Sequence, residues 1–151
     1  MQSAAKAERP IAFTTAHRVS IIGRNDPDAE LMASHLDNLN YCPVVLDTPE
    51  DYDDFHEHST EPYTQICLLD LDAVPSLEMA RGISDRIRTH HPAIAVLATS
   101  REQVASGDAD GHNAFADHFI TKGFDRASLQ EAISAAISFN LARRLRDDLS
   151  E

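Results

Sequence analysis

The chain has 151 residues, 42% of them hydrophobic, and 25 acidic against 13 basic side chains give a formal charge of −12. That length suits one soluble domain around a single core, and no apolar run is long enough to cross a bilayer. The acidic excess repels phosphate backbones and anionic lipid, which argues against direct binding of nucleic acid or membrane.

Residues 1–16 carry no apolar stretch of signal-peptide length and read as a disordered leader, in keeping with a cytoplasmic location. Short hydrophobic runs bounded by turn residues then predict strands at Val19–Ile22, Val44–Leu46, Ile66–Leu71, Ile94–Leu97 and Phe119–Ile120. Between them lie segments of helical period. "PDAELMASHLDNL" places Leu31, His35, Leu36 and Leu39 on one face, "EDYDDFHEH" is short, and "SLEMARGISDRIRTHH" aligns Leu77, Ala80, Ile83 and Ile87. The last, "DRASLQEAISAAISFNLARRLRDDL", aligns Leu129, Ile133, Ile137, Leu141 and Leu145. Cys42 and Cys67 sit inside apolar runs without metal-type spacing and are expected as buried thiols in a reducing compartment. Arg143, Arg144 and Arg146 at helical spacing read as a solvated face or the favourable end of a helix dipole.

Near-continuous apolar strands alternating with helices predict a doubly wound α/β fold, a five-stranded parallel sheet covered on both faces. Ligands of such sheets bind beyond the carboxyl ends of the strands. The polar residues there are Arg24, Asn25 and Asp26, then Asp70 and Asp72, then Thr99 and Ser100, then Lys122. An acid, a hydroxyl and a lysine at neighbouring strand ends can take a phosphoryl group and hold its oxygens, with a divalent cation held by further carboxylates.

The stretches "ICLLDL" and "ADHFITKGFD", with "NDPDAELMASHLDNLNYCPVVLDTPEDY" before them, resemble the CheY-like receiver domain of two-component response regulators. The resemblance runs from about His17 to Phe139, giving a receiver-like domain over 17–139 of flavodoxin-like (βα)5 architecture, with 140–151 extending the last helix. It implies that Asp70 stands at the phosphoacceptor position, Lys122 at the charge-sensing lysine and Phe119 at the aromatic switch. Ser100 or Thr99 takes the place of the hydroxyl that follows the phosphoryl group.

The chain departs from the family where the metal should be held. Two acids at the end of the first strand bind Mg²⁺ in receivers, whereas "IIGRND" offers Gly23 and Arg24, or Arg24 and Asn25, depending on where the strand ends, with Asp26 usable only if the turn shifts. A guanidinium there is expected to pair with Asp70 and repel a divalent ion. Pro75 follows Asp70 by five residues instead of four, and Gly123 replaces the proline that usually follows the lysine. The segment "REQVASGDADGHNAF", with Gly107 and Gly111, is a poor helix.

Other features read blandly. Asp72 is expected in a loop because Pro75 follows closely. "SGDADGHNAFAD", with Ser106, Asp108, Asp110 and Asp117, matches a Ca²⁺ loop poorly and reads as a flexible acidic loop. His56, His58, His90 and His91 read as exposed histidines at polar helix ends, and no metal site is expected. Leu141 and Leu145 continue the apolar spacing beyond what the sheet needs, which points to a dimer contact or a link to an output domain. The expectation is therefore a degenerate receiver that is not an enzyme, needs no cofactor and acts through a protein partner, an attached output or a homodimer. The competing reading is a true phosphoacceptor that uses Mg²⁺ and takes phosphate on Asp70 from a histidine kinase.

Overall fold

Five parallel strands, β1 (Arg18–Ile22), β2 (Cys42–Leu46), β3 (Ile66–Asp70), β4 (Ala95–Ser100) and β5 (His118–Thr121), form one sheet in the order β2-β1-β3-β4-β5. The computed structural model describes residues 18–47, 51–52, 66–101 and 116–150. The leader, His56, His58 and the segment from Glu102 to Phe115, with Ser106, Asp108 and Asp110, lie outside the described residues. Helices α1 (Pro27–Asn38), α2 (Leu77–His90) and α3 (Arg126–Ser150) cover the sheet. The order reverses between β1 and β3, so the switch point of the doubly wound fold falls where Gly23 and Asp70 end those strands.

Strand periodicity divides the core in two. Val19, Ile21, Ile66, Leu68, Ala95 and Leu97 face Met32 and Leu36 of α1 and Leu129 and Ile133 of α3. Ile22, Cys67, Leu69, Val96 and Ala98 face Ala80 and Ile87 of α2. β3 and most of β4 are buried on both faces, as an internal parallel strand must be. β2 begins two residues earlier than expected and includes Pro43, which an edge strand tolerates because its outer side has no partner to serve.

The helix starts follow local chemistry. Asp26 caps α1 by accepting from Ala29 N at 2.9 Å, with Pro27 in the first turn, and Ser76 caps α2 by accepting from Met79 N at 3.1 Å. Asp125 accepts from Ser128 N at 2.8 Å at the start of α3. Helix α1 ends where Asn40 takes φ 71° and Tyr41 N returns to Leu36 O, a turn that asparagine enters more readily than most residues.

Three sequence expectations are corrected. The buried face of α1 is Ala29, Met32 and Leu36, while Leu31 is 55% exposed: the helix is rotated so that the small and flexible residues meet the sheet. Leu77 stands outside at the first turn of α2, where Ser84 joins Ala80 and Ile87 inside. Cys42, at the start of the edge strand, is exposed, whereas Cys67 is buried and its thiol is pushed up to about 12 by loss of solvent.

Candidate functional site

Gly23, Asp70, Thr99 and Lys122 end four neighbouring strands with the same side-chain parity as Ile21, Leu68, Leu97 and Ile120. All four therefore belong to the α1 face of the sheet, which is why their groups meet at its carboxyl edge. Thr99 is in register with Asp70, and Lys122 N donates to Ser100 O at 2.8 Å, carrying the β4–β5 ladder one residue past the strand. Gly123 follows at φ +95°, a value closed to proline and unfavourable for any residue with a Cβ.

The centre of the site is the Lys122 ammonium. It lies 2.8 Å from Asp70 Oδ1, 2.9 Å from Asp28 Oδ2 and 3.0 Å from Asp72 Oδ2, with its side chain 9% exposed. Three donor protons meet three carboxylates, so its hydrogen-bonding capacity is filled. Asp28 comes from the first turn of α1, Asp72 from the turn after β3. Asp28 Oδ2 also takes the Arg101 guanidinium, while Asp72 accepts from Arg101 N at 2.8 Å and from Ser100 Oγ at 3.3 Å.

These contacts set the charges. Burial works against the Lys122 ammonium, but hydrogen bonds to Asp70, Asp28 and Asp72 overcome it and raise the pKa above the ordinary lysine value. The Lys122 hydrogen bond holds Asp28 below the usual carboxylate range. Desolvation acts upward on Asp72, yet Lys122 and the Arg101 amide carry it below that range. Asp70 goes the other way: it is 1% exposed, and desolvation outweighs the pull of Lys122, so its carboxyl is raised.

One oxygen explains part of that. Asp70 Oδ1 serves Lys122 and accepts from Asp72 N at 3.0 Å, but the buried Oδ2 has no hydrogen-bond partner among the described residues. A Cβ on Gly23 would lie 3.0 Å from Asp70 Cβ and 3.5 Å from that Oδ2, so any larger residue would press on the Asp70 side chain. Thr99 Oγ1 is likewise buried and unpartnered. Of the two hydroxyls left open by the sequence, Thr99 shares register with Asp70, while Ser100 bonds to Asp72.

The residues expected to replace the acid pair do not enter this cluster. Arg24 is exposed and its guanidinium donates to the Asp72 carbonyl at 3.2 Å; the cation paired with Asp70 is Lys122 instead. Asn25 is exposed, and Asp26 spends its carboxylate on the α1 cap. Asp72 lies in a turn, as Pro75 implied, but its side chain turns back into the site. Phe119 is half-buried against the α2-side core, on the face opposite Lys122.

The donor set does not suit the Mg²⁺ that receivers use. Among the described residues no group of three His, Cys, Asp or Glu side chains is placed to hold a metal ion. The carboxylates of Asp28, Asp70 and Asp72 converge on the Lys122 ammonium instead, and the β1 end adds an arginine rather than an acid.

A second ion cluster, which composition did not reveal, lies at the opposite edge of the sheet. Asp117, 2% exposed, accepts from Val96 N at 2.9 Å and from Arg143 at 3.2 and 3.4 Å, with Arg88 at 3.6 Å. The buried Asn140 donates to Pro92 O at 3.0 Å and Ile94 O at 3.3 Å, and accepts from Arg144 Nε at 2.8 Å. Arg143 thus fastens α3 to Asp117, Arg144 is bonded to Asn140 within the same helix, and Asp117 is an ion-pair partner. Burial lowers the Arg88 pKa against the opposing pull of Asp117. Beyond this point Leu141, Leu145 and Leu149 are 47%, 55% and 87% exposed. His90, at the end of α2, is exposed and its ring lies 6.5 Å from that of His91. No helix of the described residues is long and apolar enough to cross a membrane.

Comparison with known proteins defines the class by shape. No family model matches the chain, and no curated protein does. Among solved structures, a response regulator from Thermotoga maritima is similar at 17% identity and TM-score 0.64, covering 82% of this chain and 98% of that one. A CheY-like receiver domain protein from Methanospirillum hungatei JF-1 is similar at 14% identity and TM-score 0.65, covering 85% and 98%. NtrX from Brucella abortus is similar at 17% and 0.64, covering 89% of this chain and 29% of that one. At such identities the likeness is one of fold: the chain has the architecture of response-regulator receiver domains.

Proposed function

We propose that this chain is a receiver-like signalling domain of the cytoplasm that works without phosphorylation, as an interaction and dimerisation module regulating an attached or separate output. The observation that carries the reading is the Asp70 pocket itself, in which one ammonium pairs with three carboxylates and the β1 end supplies no metal-binding acid. Without a divalent ion the transition state of phosphoryl transfer loses its main charge stabilisation. What is left for signalling is surface, and α3 offers an exposed apolar stripe of Leu141, Leu145 and Leu149. An attached output is supported by NtrX, where the matching part is 29% of the chain.

One observation favours phosphoacceptance instead: Asp70 Oδ2 and Thr99 Oγ1 are both buried without hydrogen-bond partners among the described residues, as groups awaiting a ligand would be. Incubation with a small acyl phosphate and Mg²⁺, followed by intact-mass measurement, separates the two. The module reading expects no phosphoryl increment. An increment that disappears in Asp70→Asn establishes the phosphoacceptor.

A further inference from the structure

His118 stands where β5 meets α3. Half-buried at the start of the strand, its ring lies against that of Phe139, with 6.2 Å between centroids and 15° between planes, inside the range of offset-stacked aromatic pairs. The same turn of α3 holds the helix to the sheet edge, through Asn140 on the carbonyls of Pro92 and Ile94 and through Arg143 on Asp117. The charges around this junction are mostly cationic. Asp117, beside His118 on β5, already takes Arg143 of α3 and Arg88 of α2; Arg144 bonds to Asn140, Asp85 acts on Arg88, and β4 contributes only Leu97, the register partner of His118. A proton on the imidazole would add a positive charge to an edge that already holds three guanidinium groups, in a place short of water. Phe139 does little to offset this, since 6.2 Å is at the outer limit of about 6 Å for attraction of a cation to a ring face, and the ring is 58% exposed.

We propose that the His118–Phe139 stack is an acid-released clasp: protonation of the imidazole breaks the stack and loosens the Phe139–Arg144 turn of α3, from which the exposed Leu145 and Leu149 project. The direction follows from linkage. With the rings apart, the imidazole regains water and titrates near its ordinary value of about 6.5. Stacked, it is held lower by burial. The open form therefore binds the proton more tightly, so the clasp keeps its full strength above about pH 7 and weakens as pH falls toward the folded-state value. The loosened arm is the surface used in the proposed function, and the regulatory role of the clasp rests on that reading.

Two measurements on the full chain, as wild type, His118→Phe and Phe139→Leu, test this. In proton NMR the His118 ring signal, identified by its loss in His118→Phe, should titrate with a midpoint below about 6.5, and Phe139→Leu should move that midpoint up. In hydrogen exchange, corrected for the intrinsic pH dependence of amide exchange, protection of residues 139–147 should fall at least about threefold in wild type from about pH 7.5 to about pH 5.5. It should stay level in His118→Phe, which keeps a ring but not a titrating one. Should His118→Phe not fold, His118→Gln takes its place, and the wild-type and Phe139→Leu midpoints decide in any case. A midpoint at or above about 6.5, a midpoint unmoved by Phe139→Leu, or an equal fall in protection without the imidazole overturns the proposal. The functional reading fails separately: a phosphoryl increment on Asp70, or a chain that stays monomeric, while the clasp titrates as expected, sinks that reading and leaves this one standing.

Discussion

Removing the charge of Asp117 is the most direct test of what fastens α3 to the sheet. Asp117→Asn keeps the shape but turns an amide toward two guanidinium groups. Arg143 at 3.2 Å and Arg88 at 3.6 Å then lose this carboxylate, and the acceptor of the Val96 N bond is weakened. Breaking a fully buried ion pair costs about 3–5 kcal/mol. The carboxylate is 2% exposed, but the arginine side chains keep 20% and 23% exposure and can partly rehydrate, so the cost falls somewhat below that range. The expected loss is about 2–3 kcal/mol, a drop of roughly 10 °C in Tm for a domain of this size. Urea unfolding followed by circular dichroism measures it, with the slope unchanged if only the folded state is affected. Arg143→Met should lose less, because Arg88 remains, and the double variant should lose less than the sum. A loss below about 0.5 kcal/mol for Asp117→Asn would mean that the pair behaves as a surface contact, and the fastening argument would be wrong.

Gly23→Ala should destabilise by about 1–3 kcal/mol in the same assay, since its Cβ would meet two backbone-fixed atoms, Asp70 Cβ at 3.0 Å and Ala73 Cβ at 3.2 Å; an unchanged midpoint would show that the β1 turn yields freely. The folded chain holds the Asp70 proton to higher pH than the unfolded chain does, so ionised Asp70 detracts from stability above its folded pKa, and that penalty fades as pH falls toward the ordinary carboxylate range. Asp70→Asn should therefore gain on wild type as pH rises from about 3 to 7, and a gain in the reverse direction would show that attraction to Lys122 outweighs burial. Leu141→Glu with Leu145→Glu should abolish self-association in sedimentation velocity while leaving unfolding midpoints within about 0.5 kcal/mol; a wild-type chain that stays monomeric at high concentration removes the dimer reading.

The fold was legible because its signals are local. Strand runs, helical spacing, Asp26 with Pro27, and Ser76 each act within a few residues, and together they specify a parallel sheet covered on both faces. Asp70 and Lys122 were legible because strand ends of a doubly wound sheet converge. Asp28 was not, since in the sequence it is one more acid in the first turn of a helix, a position favoured by the helix dipole alone. Only the packing of α1 on β1 brings it to a lysine 94 positions later. Arg24 misled for a related reason: register places a residue at a rim, but the length of its side chain decides what it reaches, and Arg24 passes the carboxylates for a backbone carbonyl. Arg143 of α3 was invisible as a fastener because Asp117 lies in an acidic stretch, where nothing local marks one carboxylate as buried.

Both ion clusters bear on β5. This strand is only four residues long and no more than half-buried, and at the sheet edge it pairs with β4 alone. Strands so short and so lightly covered depend on what fixes their ends, because register alone is weakly specified when few side chains are committed to the core. Asp117 precedes β5 and is pinned to Val96, Arg88 and Arg143; Lys122 follows it and is pinned to Asp28, Asp70 and Asp72. One node draws in the distal half of α3, the other the start of α1. A slip of one residue along β4 would move both charges by the rise of a strand, about 3.3 Å, and break both sets of contacts at once. The charges at its two ends therefore do for β5 what burial does for β3, and they hold Phe119, within the strand, and Lys122, just past its end, on opposite faces of the sheet.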